Sequence, residues 1–421
     1  MGASAAGDGL PRGEVMARLG VLMATVFVDM IGFLIVLPLL PFYAERLGAS
    51  PFLVGGLVSA FAVAQLAASP LWGRLSDHYG RRPVILISLW ITTLAFILFE
   101  AADAVWLLFL SRAVQGLGAG TVGVVQAYLS DSVPASQRSQ ALGWLTAATS
   151  AGVMLGPAVG SLAAATGVVP PGYLAAGLCV ANWLFAFRYL KEPQTEHRSD
   201  VPREPGGTRR VIAEIIRRPR GELGSLVWIY SSGMMAFMAM NGIWALYLNR
   251  RFGITEATIG WFYVYVGSIS LVMRALVLGP VVRRFGEVRV LRAGTLSLAV
   301  GLGLVPFCPT LWALAPAVLL IPVGTALLFP ATTSMLSGRA PRGRTGMVLG
   351  VQQLFGGVSR MLGPIWAGAV FQHLGIRSPF WVAAALMLAA RLFSGAVREV
   401  SPRADARRSE PVEPTLPVEP S

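Results

Sequence analysis

Apolar runs of membrane-spanning length recur twelve times along this chain of 421 residues, at 18–43, 53–72, 83–101, 104–129, 140–165, 172–190, 223–248, 257–280, 291–308, 311–335, 346–371 and 379–397. At about 1.5 Å per residue, roughly 20 apolar residues cross the ~30 Å hydrocarbon core of a bilayer as a helix. Most connectors between the runs are short, so the chain has little room for a separate soluble core. Only 13% of the residues are charged and 55% are hydrophobic, whereas a soluble domain carries about a quarter charged residues. Mean hydropathy is +0.64. These figures exclude a soluble enzyme, a nucleic-acid-binding protein and a disordered chain. The expected fold is all-α, with twelve transmembrane helices.

A net charge of +13 would suggest nucleic-acid affinity until the basic residues are placed. Arg12, Arg18, Arg74, Arg81, Arg82, Arg138, Arg283, Arg284, Arg289, Arg292, Arg339, Arg342 and Arg344 fall in alternate connectors, with further clusters at 188–220 and from 391 onward. The intervening connectors hold only Arg46, Arg250, Arg251 and Arg377. Basic loops stay in the cytoplasm, so both chain ends are expected there, in a cell's inner (plasma) membrane. The run from Leu19 to Tyr43 is too long for a signal peptide and lacks a cleavage site. Residues 1–17 and 401–421 read as disordered cytoplasmic tails. Between them lie a bundle at 18–190, a hydrophilic linker at 191–222 with an amphipathic piece near Val211–Ile216, and a bundle at 223–400.

Chemistry outside transport finds little support. Cys179 and Cys308 lie far apart in apolar runs, and His78, His197 and His373 are scattered. No disulfide framework, metal site or cofactor is expected. No nucleophile–base constellation suggests an enzyme, and no phosphate-binding glycine–lysine loop suggests ATP as the driving force.

The two bundles repeat one another. Gly73-x6-Gly80 returns as Gly279-x6-Gly286, Gly143-x12-Gly156-Pro157 as Gly350-x12-Gly363-Pro364, and Pro134 as Pro341, at a near-constant offset. Two parallel six-helix pseudo-repeats are the pattern of secondary transporters whose site lies between the halves.

Four motifs then carry a family resemblance. The segment Gly73-Arg-Leu-Ser-Asp-His-Tyr-Gly-Arg-Arg-Pro83 resembles the signature loop of the major facilitator superfamily. Arg112-Ala-Val-Gln115-Gly116 is similar to an element of its drug–proton branch. Gly152-x3-Gly156-Pro157-x2-Gly160 resembles its antiporter motif, with Ser161 where a second glycine is usual. Asp29-x2-Gly32-x5-Pro38-x2-Pro41 resembles the tetracycline–proton antiporters of the twelve-span branch. The resemblance covers about 18–397 and implies the major facilitator fold.

Within that frame the polar residues take candidate roles. Asp29 lies about 16 Å in from one face and Arg112 about 12 Å from the other, so an acid and an arginine meet at similar depth. They are natural partners in one state, with Gln115 one turn from Arg112, and intramembrane charges are functional candidates by default. If the pair forms in one state and breaks in another, the proton affinity of Asp29 must differ between them. Glu100, near the end of its span, is expected to be solvated.

Gly73, Arg74, Asp77, Gly80, Arg81, Arg82 and Asp131 form a candidate latch. The resemblance implies that Asp77 docks on the start of span 11 at Thr345-Gly346, while Asp131 can pair with Arg81 or Arg82. Arg283 stands where Asp77 would repeat, so the latch is asymmetric. Gly152, Gly156 and Gly160 lay a smooth stripe beside Pro157, suited to helices in close sliding contact. Asn241, Trp244, Gln352, Gln353 and Arg360 are candidate cavity residues, and Arg274 can snorkel to the headgroups.

The leading expectation is a proton-driven exporter of amphipathic small molecules, acting as a monomer in lipid with protons and substrate as its partners and no nucleic acid. A facilitator or symporter for an organic anion is the second, favoured by Arg112 and Arg360 against one aspartate. A membrane sensor or scaffold that does not transport is the third.

Overall fold

The computed structural model describes residues 12–133, 137–193, 207–341, 344–395 and 397. The tail at 401–421, Pro134 and most of the 191–206 stretch lie outside them. Span 1 comprises α1 (Arg12–Val36) and α2 (Leu40–Arg46), parted at Leu37–Leu39 where Pro38 cannot donate a helix hydrogen bond. The rest of the first half is α3 (Pro51–Tyr79), α4 (Arg81–Glu100), α5 (Val105–Ala119) with α6 (Val122–Ser132), α7 (Arg138–Thr166) and α8 (Pro171–Tyr189). A surface helix, α9 (Gly207–Arg217), covers the expected amphipathic piece.

The second half is α10 (Glu222–Phe252), α11 (Glu256–Val272) running through a π-turn at Met273–Val277 into α12 (Leu278–Phe285), α13 (Glu287–Leu304), α14 (Leu311–Arg339), α15 (Thr345–Leu374) and α16 (Ser378–Phe393). Arg274 sits in that π-turn. Among the described residues, ten segments are long and apolar enough to cross a membrane. The 19-residue α8 and 16-residue α16 occupy the two remaining expected positions. The protein is an all-α, multi-pass membrane protein.

Helix α1 begins at Arg12, not at 18. Glu14, Met16 and Ala17 are good helix formers, so the helix continues past its apolar stretch at little cost.

Each half is a bundle: α1 packs on α7 and α8, α3 on α5, and α4 on α5 and α8, while α10 packs on α15, α14 and α16, and α13 on α14 and α16. Two helix pairs, α3 with α15 and α7 with α11, form the seam between the halves. The alternating helix directions define two ends of the molecule. The linker end holds Gly80, Lys191 and Gly286; the far end holds Gly48, Gly167, Gly253 and Gly375.

The seam is tight towards the far end. A β-carbon built at Gly55 would stand 2.1 Å from the Pro364 carbonyl oxygen, one at Gly368 2.4 Å from that of Pro51, and one at Gly260 2.6 Å from that of Pro157. Contact continues inward as far as Gly357 against Leu66 and Gly267 against Met154. Beyond that, β-carbons at Gly143, Gly346 and Gly350 would meet no described atom within 4 Å. Among the described residues, then, the seam is tight at the far end and unpacked at these positions towards the linker end.

Candidate functional site

In the first half, Asp29 is half-buried on α1, with its carboxylate near the Cys179 thiol of α8. Gly32, one turn on, has its missing side chain 3.5 Å from Cys179 Sγ, so α1 and α8 approach closely there. Arg112 is 1% exposed. Its Nη1 donates to Gln115 Oε1, and its guanidinium carbon lies 5.1 Å from the Phe61 ring centroid. Arg112 Nε and Nη2 and Gln115 Nε2 are buried without a hydrogen-bond partner. The expected Arg112–Gln115 face is present, but no ion pair joins Asp29 to Arg112 among the described residues. This is the unpaired arrangement.

The candidate latch is built on helix ends. Asp77 is not in a loop, as its spacing suggested, but in the last turns of α3; the connection to α4 is Gly80 alone, at φ +98°. Gly286 repeats that turn at φ +82°. Only glycine adopts such angles without strain, which is why the spacing recurs. Arg81 reaches Asp77 Oδ1 at 2.8 Å, Asp131 Oδ2 at 3.2 Å and Ser76 Oγ, joining α3, α4 and α6. Arg82 instead donates to the Phe187 carbonyl, and its backbone N–H donates to Glu192. Asp77 is exposed, on the linker side of the point where the halves part.

The glycine stripe of α7 meets α1 of its own half. β-Carbons at Gly152, Gly156 and Gly160 would stand 2.7, 2.8 and 2.5 Å from the carbonyl oxygens of Phe27, Ile31 and Ile35. The stripe therefore welds spans 1 and 5, and the partner across the seam is met by Met154, Pro157 and Ser161 instead. Ser161, the departure from the glycine pattern, has a role of its own. Its hydroxyl accepts from Gly260 N–H and donates to the Glu256 carbonyl, each at 2.7 Å, bridging groups one helical turn apart in α11. At the same end Arg46 pairs with Glu256, and Arg250 with Glu45 at 2.7 Å.

Two expected cavity residues are packed away. Trp244 is 2% exposed, its ring 5.3 Å from Phe380 and 4.9 Å from Phe262. Gln352 is fully buried and donates to Thr333 Oγ1 at 2.9 Å, facing α14. Both lie on the sides of their helices turned into the second bundle. Asn241 is half-buried and donates to the Phe237 carbonyl at 2.8 Å. Gln353 is exposed and Arg360 half-buried, and both lie near the Tyr230 hydroxyl.

Tyr230 carries no sequence motif; the only hint is Gly356, whose missing side chain admits the Tyr230 ring. Glu100 also differs from expectation. It accepts from Gly172 N–H at 2.8 Å and from the Tyr43 hydroxyl at 3.3 Å, because the small residue at 172 lets α8 start against α4.

A family model of the Major Facilitator Superfamily matches residues 22–274 and 226–420, so two overlapping matches cover nearly the whole chain. The chain belongs to that superfamily. Among curated relatives, the class B tetracycline resistance protein of Escherichia coli is 26% identical over 365 residues, 85% of this chain and 89% of its own. Multidrug resistance protein 1 of Bacillus subtilis (strain 168) is 28% identical, covering 87% and 92%. The quinolone resistance protein NorA of Staphylococcus aureus (strain COL) is 26% identical, covering 88% and 93%. A solved structure of a bacterial homolog of the human lysosomal transporter Spinster superposes with a TM-score of 0.74 at 14% identity, covering 93% of this chain and 100% of that one. As a major facilitator, the protein is a membrane transporter with a resemblance to the drug–proton antiporters, as its motifs suggest.

Proposed function

We propose that this chain is a proton-coupled antiporter that exports amphipathic small molecules by alternating access. The observation that carries the reading is Asp29, a carboxylate inside a span of a half whose buried Arg112 has two nitrogens without a hydrogen-bond partner. A buried guanidinium with unmet donors is costly, so a second arrangement in which a carboxylate reaches it is favoured. Proton binding to Asp29 competes with that arrangement and so selects the present, unpaired one. The relatives are named for resistance to tetracycline, quinolones and multiple drugs, which supports drug-like cargo.

In this reading the bundles at 18–190 and 223–400 rock about the seam as a monomer. The linker and both chain ends face the cytoplasm, following the arginine distribution. The present conformation then faces inward. A symporter or facilitator for an organic anion is the second reading, and Arg360 favours it.

Proton direction separates the two. In proteoliposomes with a pH gradient, an antiporter accumulates substrate in the acidic compartment and a symporter in the alkaline one, with protein-free liposomes as baseline. Accumulation of tetracycline or ethidium on the acidic side, lost in Asp29→Asn while binding persists, is expected. Undiminished pH-driven transport by Asp29→Asn overturns the role of this residue.

A further inference from the structure

Among the described residues no acid pairs with Arg360. Asp and Glu in the described part of the second half are Glu222, Glu256 and Glu287, each in the first turn of a helix and so at a membrane edge. Arg360 stands fifteen residues into α15, about 22 Å from its start. The Tyr230 hydroxyl is close enough to feel both Arg360 and the Gln353 amide. Two adjacent glycines leave room for both groups: a β-carbon at Gly356 would stand 3.5 Å from the Tyr230 hydroxyl, and one at Gly357 3.8 Å from Arg360 Nη2.

The direction of the cluster follows from helix periodicity. Gly356, Ser359 and Gly363 turn towards α10, where Ser359 bonds Ser231. Gly357 and Gly368 turn towards α3. Gln353, Arg360 and Pro364 share the strip between those faces, at spacings of seven and four. Pro364 closes that strip by touching both Gly55 of α3 and Gly242 of α10. Arg360 is one turn nearer the linker end, at the apex of the space where the halves part. Beside it, Tyr230 and Phe237 each pack edge-on against Phe329, with centroids 5.4 and 6.3 Å apart.

We propose that the second half recognises its substrate by an anionic group, a carboxylate on an aromatic body, held by Arg360 with Tyr230 and Gln353 beside the Phe237–Phe329 surface. A guanidinium at this depth needs a counter-charge, and a planar fork of donors suits a carboxylate. The proposal rests on the transporter reading above, and applies to antiport and symport alike.

The test uses the full-length chain in lipid nanodiscs, without a proton gradient, and two matched probes, naphthoic acid and its methyl ester. At neutral pH the acid should bind at least about tenfold more tightly than the ester, the scale of a lost hydrogen bond to a charged group. Arg360→Gln should bring the acid to the affinity of the ester and leave the ester unchanged, and Arg360→Lys should restore part of the preference. Tyr230→Phe, which removes only a hydroxyl, should weaken the acid alone, by a few-fold. Equal binding of acid and ester by the unmodified chain overturns the proposal, as does equal loss of both in Arg360→Gln or Tyr230→Phe. Because binding is read without a gradient, loss of pH-driven transport with the acid preference intact would defeat the antiport reading and leave this site standing.

Discussion

The two ends of the seam are built from the same kinds of helix and the same residue, glycine, yet they hold it differently. Towards the far end, Gly55, Gly260 and Gly368 each face a backbone carbonyl of the other half at a distance that leaves no room for a methyl group. Towards the linker end, Gly143, Gly346 and Gly350 face open space. Small residues at a packed crossing let backbones touch. The same residues at an unpacked crossing have no packing role in this conformation, and gain one if the halves close there. The difference supports the rocking proposed above: one set of contacts is in use here, and the other would be used when the linker end closes.

Breaking one end at a time gives the largest effects. Gly55→Leu places side-chain atoms on the Pro364 carbonyl, and overpacking of this kind costs about 1–3 kcal/mol or more. It should abolish far-end closure and transport, read as a lengthened far-end distance between spin labels. Gly350→Leu should leave the present conformation unchanged in the same measurement, yet still stop transport by blocking closure at the linker end. A far-end distance that is unchanged in Gly55→Leu contradicts the comparison.

The latch gives the next largest effect. If Asp77 docks across the seam in the linker-closed state, as proposed, Asp77→Asn should lower transport several-fold with normal membrane levels, beyond the loss of its pair with Arg81. Arg283→Ala, at the equivalent place in the second half, should keep near-normal rates. Equal losses would remove the asymmetry.

Ser161→Ala sharpens the far end. It removes two hydrogen bonds, but Gly260 N–H can then bond directly to the Glu256 carbonyl, so the net loss is on the order of 1 kcal/mol. That is about a fivefold shift in population towards far-end opening, measurable as faster labelling of a cysteine placed at Ile254. Smallest is Glu45→Gln. Its pair with Arg250 is partly exposed, and such pairs contribute about 0–1 kcal/mol. Any effect on labelling should fade as salt is raised.

How far the sequence led depends on the kind of information each residue needed. Twelve spans were legible because a helix in lipid needs a continuous apolar run, and that property is local. Arg112 with Gln115 and the turns at Gly80 and Gly286 were legible from short spacing, and Arg81 with Asp131 from their place at the same end of their spans. What was not legible required knowing which neighbour a helix face meets. Trp244 and Gln352 turn into the second bundle, the α7 stripe meets α1 of its own half, and Tyr230 comes near Arg360 from a different helix. Ser161 could be seen as a departure, but its partner lies in α11, across the seam.

The central claim is that two halves rock about one seam and that the protonation of Asp29 selects between the ends. Its most direct test is a pair of double-label distances in a background lacking Cys179 and Cys308. One pair, at Tyr79 and Phe285, reads the linker end, and the other, at Val168 and Leu374, reads the far end. Asp29→Asn mimics the protonated carboxyl. It should hold a long linker-end and a short far-end distance at every pH, while the unmodified chain gains the opposite distances as pH rises. If Asp29→Asn shows the same pH-dependent mixture as the unmodified chain, Asp29 does not govern the rocking and the account fails.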